Sequence, residues 1–164
     1  MGEFLEKFDI RRVLKYLLFM MLSLVAQNML IGQLRIADVS PMVLPAVAVS
    51  MGMFRGGTWG PLFSLVLGLF ADMSFVESKV FFALTLPAIS FAAAFMAEFF
   101  VNRRFFAFMG LSTLSLFVTA LLQLAATAAA DSFSLSMLPT ALIQTVIGIP
   151  FSALAYFPPA RWIK

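Results

Sequence analysis

Hydrophobic residues in this chain gather into six apolar stretches, at about 13–34, 39–54, 58–76, 80–100, 105–130 and 136–157, divided by short polar breaks. Most of these runs approach the ~20 apolar residues that cross a bilayer as a helix. Breaks of about three to five residues leave room only for tight connections, so sequential helices become antiparallel neighbours. The pattern predicts an all-α integral membrane protein, with six transmembrane helices in one compact bundle and no separate soluble domain.

Charge adds an orientation. Lys7, Arg11, Arg12 and Lys15 precede or open the first stretch, Arg55 separates the second from the third, Arg103 and Arg104 separate the fourth from the fifth, and Arg161 and Lys164 follow the sixth. The alternate breaks hold only Arg35 and Lys79, and the break from Asp131 to Leu135 holds no cation. Nine of the eleven basic residues therefore fall on one side, and the positive-inside rule makes both termini cytoplasmic.

Composition narrows the class further. With 62% apolar residues, a mean hydropathy of +1.01 and 12% charged residues, the chain has too much apolar surface for a soluble domain of 164 residues. The net charge of +3 does not point to nucleic acid, because the cations sit at the mouths of apolar stretches and read as topology determinants and lipid-phosphate contacts. The chain has no Cys and no His, which removes disulfides and most zinc, copper, haem and iron–sulfur chemistry. No cofactor and no metal are expected.

The first stretch is longer than a signal-peptide core and lacks a small-x-small cleavage site, so it reads as an uncleaved anchor. Residues 1–12 form a cytoplasmic or interfacial segment in which Phe4, Leu5 and Phe8 share one helical face, with Glu3, Glu6 and Lys7 turned away. Glu6 stands where a myristoylation motif needs Ser or Thr.

The second stretch is short and carries Pro41 and Pro45, which raises a re-entrant hairpin with Arg55, Gly56 and Gly57 at its tip. An arginine held inside the membrane costs ~2.5 kcal/mol or more without a partner. That cost favours two short or tilted spans with Arg55 at the cytoplasmic surface. Pro87 and Pro150 are expected to bend their helices, and Pro158 with Pro159 to stop the last one.

Met51 to Ser74 carries the most information beyond topology. Gly60, Ser64 and Gly68 recur every four residues and Asp72 follows at the same interval. Small residues at that spacing let two helix backbones approach closely in lipid. Asp72 is either a solvated helix end or the partner of a donor on a neighbouring helix or protein. Arg55, Gly60, Ser64, Gly68 and Asp72 are thus candidates for helix packing or partner binding.

The other polar residues in apolar stretches are Gln27, Asn28, Gln33, Gln123, Gln144 and Glu98. Interhelical hydrogen bonds at ~0.6 kcal/mol each account for the amides, with a ligand site as the alternative. Glu98 is expected near Arg103 or Arg104. Enzyme chemistry is not expected, because no span holds a Ser/His, Cys/His, paired-carboxylate or metal constellation. Asp72 and Asp131 are far apart and both fit helix ends. No buried ionisable series supports a proton relay, and no nucleotide-binding glycine motif occurs.

Arg55, then Gly60, then Gly68-Leu69 and Asp72, with Ser40-Pro41 ahead of the second stretch, in a six-span chain of this size, resembles the rod shape-determining MreD family. The resemblance extends over the whole chain. In place of the family's glycine-containing turn after the aspartate, this chain reads Ser74-Phe75-Val76-Glu77-Ser78-Lys79-Val80-Phe81. The resemblance implies a non-catalytic scaffold of bacterial cell-wall elongation in the cytoplasmic membrane. Its implied partners are the bitopic protein MreC and, through it, MreB filaments, RodA and a penicillin-binding transpeptidase.

The MreD family is similar in architecture to the substrate-binding S-components of energy-coupling-factor vitamin transporters, which supplies the alternative function. The two readings predict different interiors. A vitamin-binding subunit requires an outward cavity lined by polar or aromatic groups from several helices. A scaffold is expected to show an apolar groove along the second and third stretches. Twenty Phe against two Trp and two Tyr favour packing and lipid contact, and so the scaffold.

Overall fold

A backbone surrounded by apolar side chains must satisfy its own donors and acceptors, and nearly all of the described residues do so in helices. The computed structural model describes residues 10–31, 42–74, 80–99, 104–130 and 137–162. Helix α1, Ile10–Val25, continues into a π-helical turn, Ala26–Ile31. The helical run Leu44–Ser74 breaks at Gly56 into two arms, 44–55 (α2) and 57–74 (α3). Helices α4, Phe81–Phe99, and α5, Phe105–Ala130, follow. Helix α6, Met137–Ser152, leads through a 3-10 turn, Ala153–Ala155, into the short α7, Phe157–Trp162. The expected interfacial helix at Phe4–Phe8 and the breaks holding Arg35, Lys79 and Asp131 lie outside the described residues.

Among the described residues, three helical stretches are long and apolar enough to cross a membrane: Phe81–Phe99, Phe105–Ala126 and Pro139–Pro159. Leu14–Met29 is a shorter apolar helix.

The break at Gly56 reverses the chain. Gly56 has φ +81°, a left-handed value open to glycine at little cost. A Cβ placed on Gly60 would lie 2.7 Å from the Cα of Gly52. Eight residues of continuous helix would hold those positions roughly 12 Å apart. Helices α2 and α3 therefore form an antiparallel hairpin, with α4 packed against it.

Helix α2 is the centre of the bundle, since every residue from Leu44 to Phe54 is buried. The one hydroxyl in this buried stretch, on Ser50, donates back to the Val47 carbonyl at 2.8 Å, so Leu44–Phe54 turns no unpaired hydroxyl toward its neighbours. Phe54 closes one end of the core beneath Tyr156, whose ring centroid lies 5.4 Å from Phe54, 5.2 Å from Phe105 and 5.3 Å from Phe108. A Cβ on Gly148 would meet both Leu116 Cδ1 and the Met42 carbonyl at 3.2 Å. The approach to α2 thus reaches the middle of α5, and α2 itself spans only about 18 Å.

Two expectations are corrected here. Met42 and Val43 are not helical and α2 starts at Leu44 rather than near residue 39. Pro45 falls in the first turn, where a backbone N–H has no intrahelical acceptor to lose. Pro158 and Pro159 do not stop the last helix. They occupy the first turn of α7, which suits proline for the same reason, and the interruption comes earlier, at Ala153–Ala155, a few residues after Pro150.

Candidate functional site

Helix α3 sorts its residues by size. Gly60, Ser64, Leu67, Gly68 and Ala71 are buried, while Trp59, Leu62, Leu65, Leu69 and Met73 point away from the bundle. The small face meets two helices at once. A Cβ on Gly52 would collide with the Ser90 carbonyl of α4 and lie 3.0 Å from Ser90 Oγ. A Cβ on Gly60 would lie 3.0 Å from the same hydroxyl. Gly52, Gly60 and Ser90 therefore mark a crossing of α2, α3 and α4 with no room for one more methyl group.

Two turns further along, Gly68 faces the start of α4. A Cβ there would collide with the Phe82 carbonyl and come within 2.8 Å of the Ala83 Cα. That proximity lets the next turn of α3 reach the open end of α4. Asp72 Oδ1 accepts from the Phe82 N–H at 3.0 Å, and Oδ2 accepts from the Ala83 N–H at 2.8 Å. The first N–H groups of a helix lack intrahelical acceptors, and a carboxylate at that end also meets the positive pole of the helix dipole. Asp72 serves α4 as a cap supplied from another helix.

The turn into this cap is left-handed at Val80, with φ +60°. A β-branched residue pays roughly 1–2 kcal/mol for that conformation. Val80 therefore holds a backbone conformation that favours glycine.

Arg55 ends α2 at the opposite end of the hairpin. It is half-buried, and its Cζ lies 4.7 Å from the centre of the Tyr16 ring of α1. A guanidinium over an aromatic face gains about 0.5–2 kcal/mol, more as water is excluded. Tyr16 and Phe19 both pack on Phe63 of α3, with ring centroids 6.4 and 6.2 Å away. Arg55 is thereby joined to the contact that seats α1 on the hairpin.

The five candidates thus divide into a packing line and two end contacts. Gly60, Ser64 and Gly68 lie on the inner face of α3, Asp72 caps α4 and Arg55 meets α1. Ser64 Oγ and Ser90 Oγ are buried without a hydrogen-bond partner. Their small volume, not their polarity, is what the crossing uses.

Among the remaining polar residues, Gln27 is buried in the π-helical turn, and its Oε1 accepts from the Val43 N–H at 2.8 Å. The side chain of one helix again serves the N-terminus of another. Gln123 and Gln144 are half-buried on α5 and α6, Asn28 is exposed in the π-helical turn after α1, and Gln33 lies outside the described residues. Glu98 and Arg104 are exposed, while Arg103 is not described. No group of three acidic side chains converges among the described residues.

An open groove of about 590 Å³ lies between α5 and α6 and is lined by Met109, Gly110, Thr113, Phe117, Thr145 and Ile149. This corrects the expected groove along the second and third stretches, because α2 is enclosed and the small face of α3 is covered by α2 and α4. The groove hydroxyls bond within their own helices, Thr113 Oγ1 to the Met109 carbonyl and Thr145 Oγ1 to the Ala141 carbonyl, both at 2.9 Å.

Sequence reasoning picked out the small line but missed Tyr156 as the centre of an aromatic cluster, and missed the left-handed backbone of Val80. Tyr156 had a signal, being one of only two tyrosines in the chain. Val80 had none, since valine ordinarily avoids positive φ. Comparisons with protein-family models, curated proteins and solved structures gave no match.

Proposed function

We propose that this chain is a non-catalytic scaffold in the bacterial cytoplasmic membrane, with six spans and both termini cytoplasmic, that binds an MreC-like bitopic protein in the cell-wall elongation machinery. What supports the reading is the resemblance carried by the α3 line of Gly60, Gly68 and Asp72, whose close contacts lie inside the bundle; the enclosed α2, buried from Leu44 to Phe54, does not show the groove expected of a scaffold along the second and third stretches. A bundle built around a filled centre suits a rigid platform that presents its outer surface to other proteins. The resemblance carried by Arg55, Gly60, Gly68, Leu69 and Asp72 points to the machinery, and the contacts of Arg55, Gly60, Gly68 and Asp72 give these four a structural role, while Leu69 points away from the bundle.

The vitamin-binding alternative draws less support. Its ligand would need free donors and acceptors in a shared cavity, whereas both groove threonines are engaged with their own helices. Depletion in the native host tests the two readings together. The scaffold reading predicts that rods widen and round up; rods of normal shape with reduced uptake of one vitamin would contradict it.

A further inference from the structure

Arg55 differs from the other described cations at its end of the bundle. Lys15, beside Tyr16, and Arg104, beside Phe105, are exposed, whereas Arg55 is half-buried. The Tyr16 ring covers one face of its guanidinium at 4.7 Å. A cation–π contact occupies that face and leaves the N–H donors, which lie around the edge, to be met by something else. Among the described residues nothing meets them, since Arg55 makes no hydrogen bond and no ion pair. Of the described carboxylates, Asp72 is engaged at the far end of the hairpin, and Glu98 is exposed on α4 and forms no pair with Arg55. Water serves an exposed cation well, but a charge half withdrawn from it and lacking a counter-ion is costly.

The space beside the turn is open. A Cβ on Gly56 or on Gly57 would meet nothing within 4 Å, so a bulky group can approach there. The surroundings narrow what that group is. Trp59, 54% exposed, stands four residues after Arg55, with Leu62 of α3 and Leu17 and Leu18 of α1 also exposed. Tryptophan next to exposed apolar side chains marks the boundary between headgroups and hydrocarbon. The anions held at that boundary are lipid phosphates. A guanidinium fork matches a phosphate bidentately, and Lys15 adds a second positive charge at the same end.

We infer that Arg55, held on Tyr16 beside the open Gly56–Gly57 turn, is a binding site for the phosphate of an anionic phospholipid in the leaflet on its side of the membrane. The site goes beyond the proposed function and does not rest on it, because the contacts of Arg55 are the same whatever protein the chain binds.

The full chain in detergent is titrated with phosphatidylglycerol and, separately, with phosphatidylcholine, and bound lipid is read by native mass spectrometry. Phosphatidylglycerol is expected to bind more tightly. Arg55→Met is expected to weaken its binding roughly tenfold to a hundredfold, and Arg104→Gln, at an exposed cation of the same end, to leave it within roughly fivefold. Because Arg55→Met also loses the Tyr16 contact, Gly57→Asp provides a second test. It keeps Arg55 and Tyr16 and sets a competing carboxylate in the free space at the turn. Gly57→Asp is expected to weaken phosphatidylglycerol binding as Arg55→Met does, and Gly57→Asn, its neutral isostere, to retain it. Each variant is first shown to be monodisperse. Equal binding of the two lipids by the parent overturns the inference and leaves the arginine to an acidic segment of another protein. So does a loss in Arg104→Gln equal to that in Arg55→Met. Inorganic phosphate that binds as tightly as phosphatidylglycerol overturns the assignment to lipid, and unchanged binding in Gly57→Asp overturns the placement at the turn.

Discussion

Asp72 Oδ2 accepts a hydrogen bond from the Ala83 N–H at 2.8 Å, so a carboxylate near the end of α3 closes the first turn of α4. The companion bond from the Phe82 N–H to Oδ1 makes the contact two-pronged. Removing it strands two backbone donors of α4. Asp72→Ala is expected to lower stability by about 1–2 kcal/mol, and Asp72→Asn, which keeps one acceptor oxygen, by less. Thermal unfolding of the purified protein in detergent orders the variants; an alanine variant as stable as the parent would contradict the capping role.

The glycine contacts predict a position-specific response to one methyl group. Gly60→Ala and Gly68→Ala must push backbone apart and are expected to cost about 1–3 kcal/mol. Gly110→Ala meets open space and is expected to be neutral or to stabilise by up to about 1 kcal/mol through helix propensity. The same thermal assay compares the three, and equal losses at Gly60 and Gly110 would show that the crossing is not tight.

The unpaired hydroxyl of Ser90 gives a prediction of opposite sign. Ser90→Ala keeps the volume small and removes a buried group without a partner, so stability is expected to hold or to rise by about 1 kcal/mol. Ser90→Val, which adds bulk beside Gly52 and Gly60, is expected to destabilise by about 1–3 kcal/mol. A loss in Ser90→Ala comparable with that in Ser90→Val would mean that the hydroxyl itself matters.

Arg55 and Tyr16 are expected to be coupled. In a double-mutant cycle with Arg55→Met and Tyr16→Leu, the interaction energy is expected to be about 0.5–2 kcal/mol. Tyr16→Phe keeps the ring and is expected to retain most of it. Strictly additive effects would remove the cation–π contact from the account of how α1 is seated.

Several of these features were legible in the amino-acid pattern and others were not, for physical reasons. Helix α5 occupies Phe105–Ala130, the limits of the fifth apolar stretch, because Arg103 and Arg104 precede it and nothing within it breaks a helix. The reversal after Arg55 was marked by adjacent glycines. The four-residue recurrence of Gly60, Ser64 and Gly68 announced close packing but not the partner, since spacing within one helix says nothing of which other helix it meets. Gln27 and Asp72 stood out as polar residues in apolar surroundings. The donors they meet are backbone N–H groups, which carry no sequence signal at all. The aromatic cluster at Tyr156 depends on three helices converging, and the left-handed Val80 runs against the preference of its own residue type.

Topology is testable because the chain has no Cys. In the proposed orientation Thr58→Cys lies at the cytoplasmic side and Ser74→Cys at the outer side. A membrane-impermeant maleimide added to intact spheroplasts is expected to label Ser74→Cys, and to label Thr58→Cys only after permeabilisation. The reverse pattern would contradict the assignment made from Arg55 and the other basic residues.

The proposed function comes down to whether this chain holds a bitopic partner. Tagged and co-expressed with the MreC-like protein of its own host, then extracted in mild detergent, the chain is expected to purify as a stoichiometric complex. A folded, monodisperse chain recovered without that protein would contradict the scaffold reading.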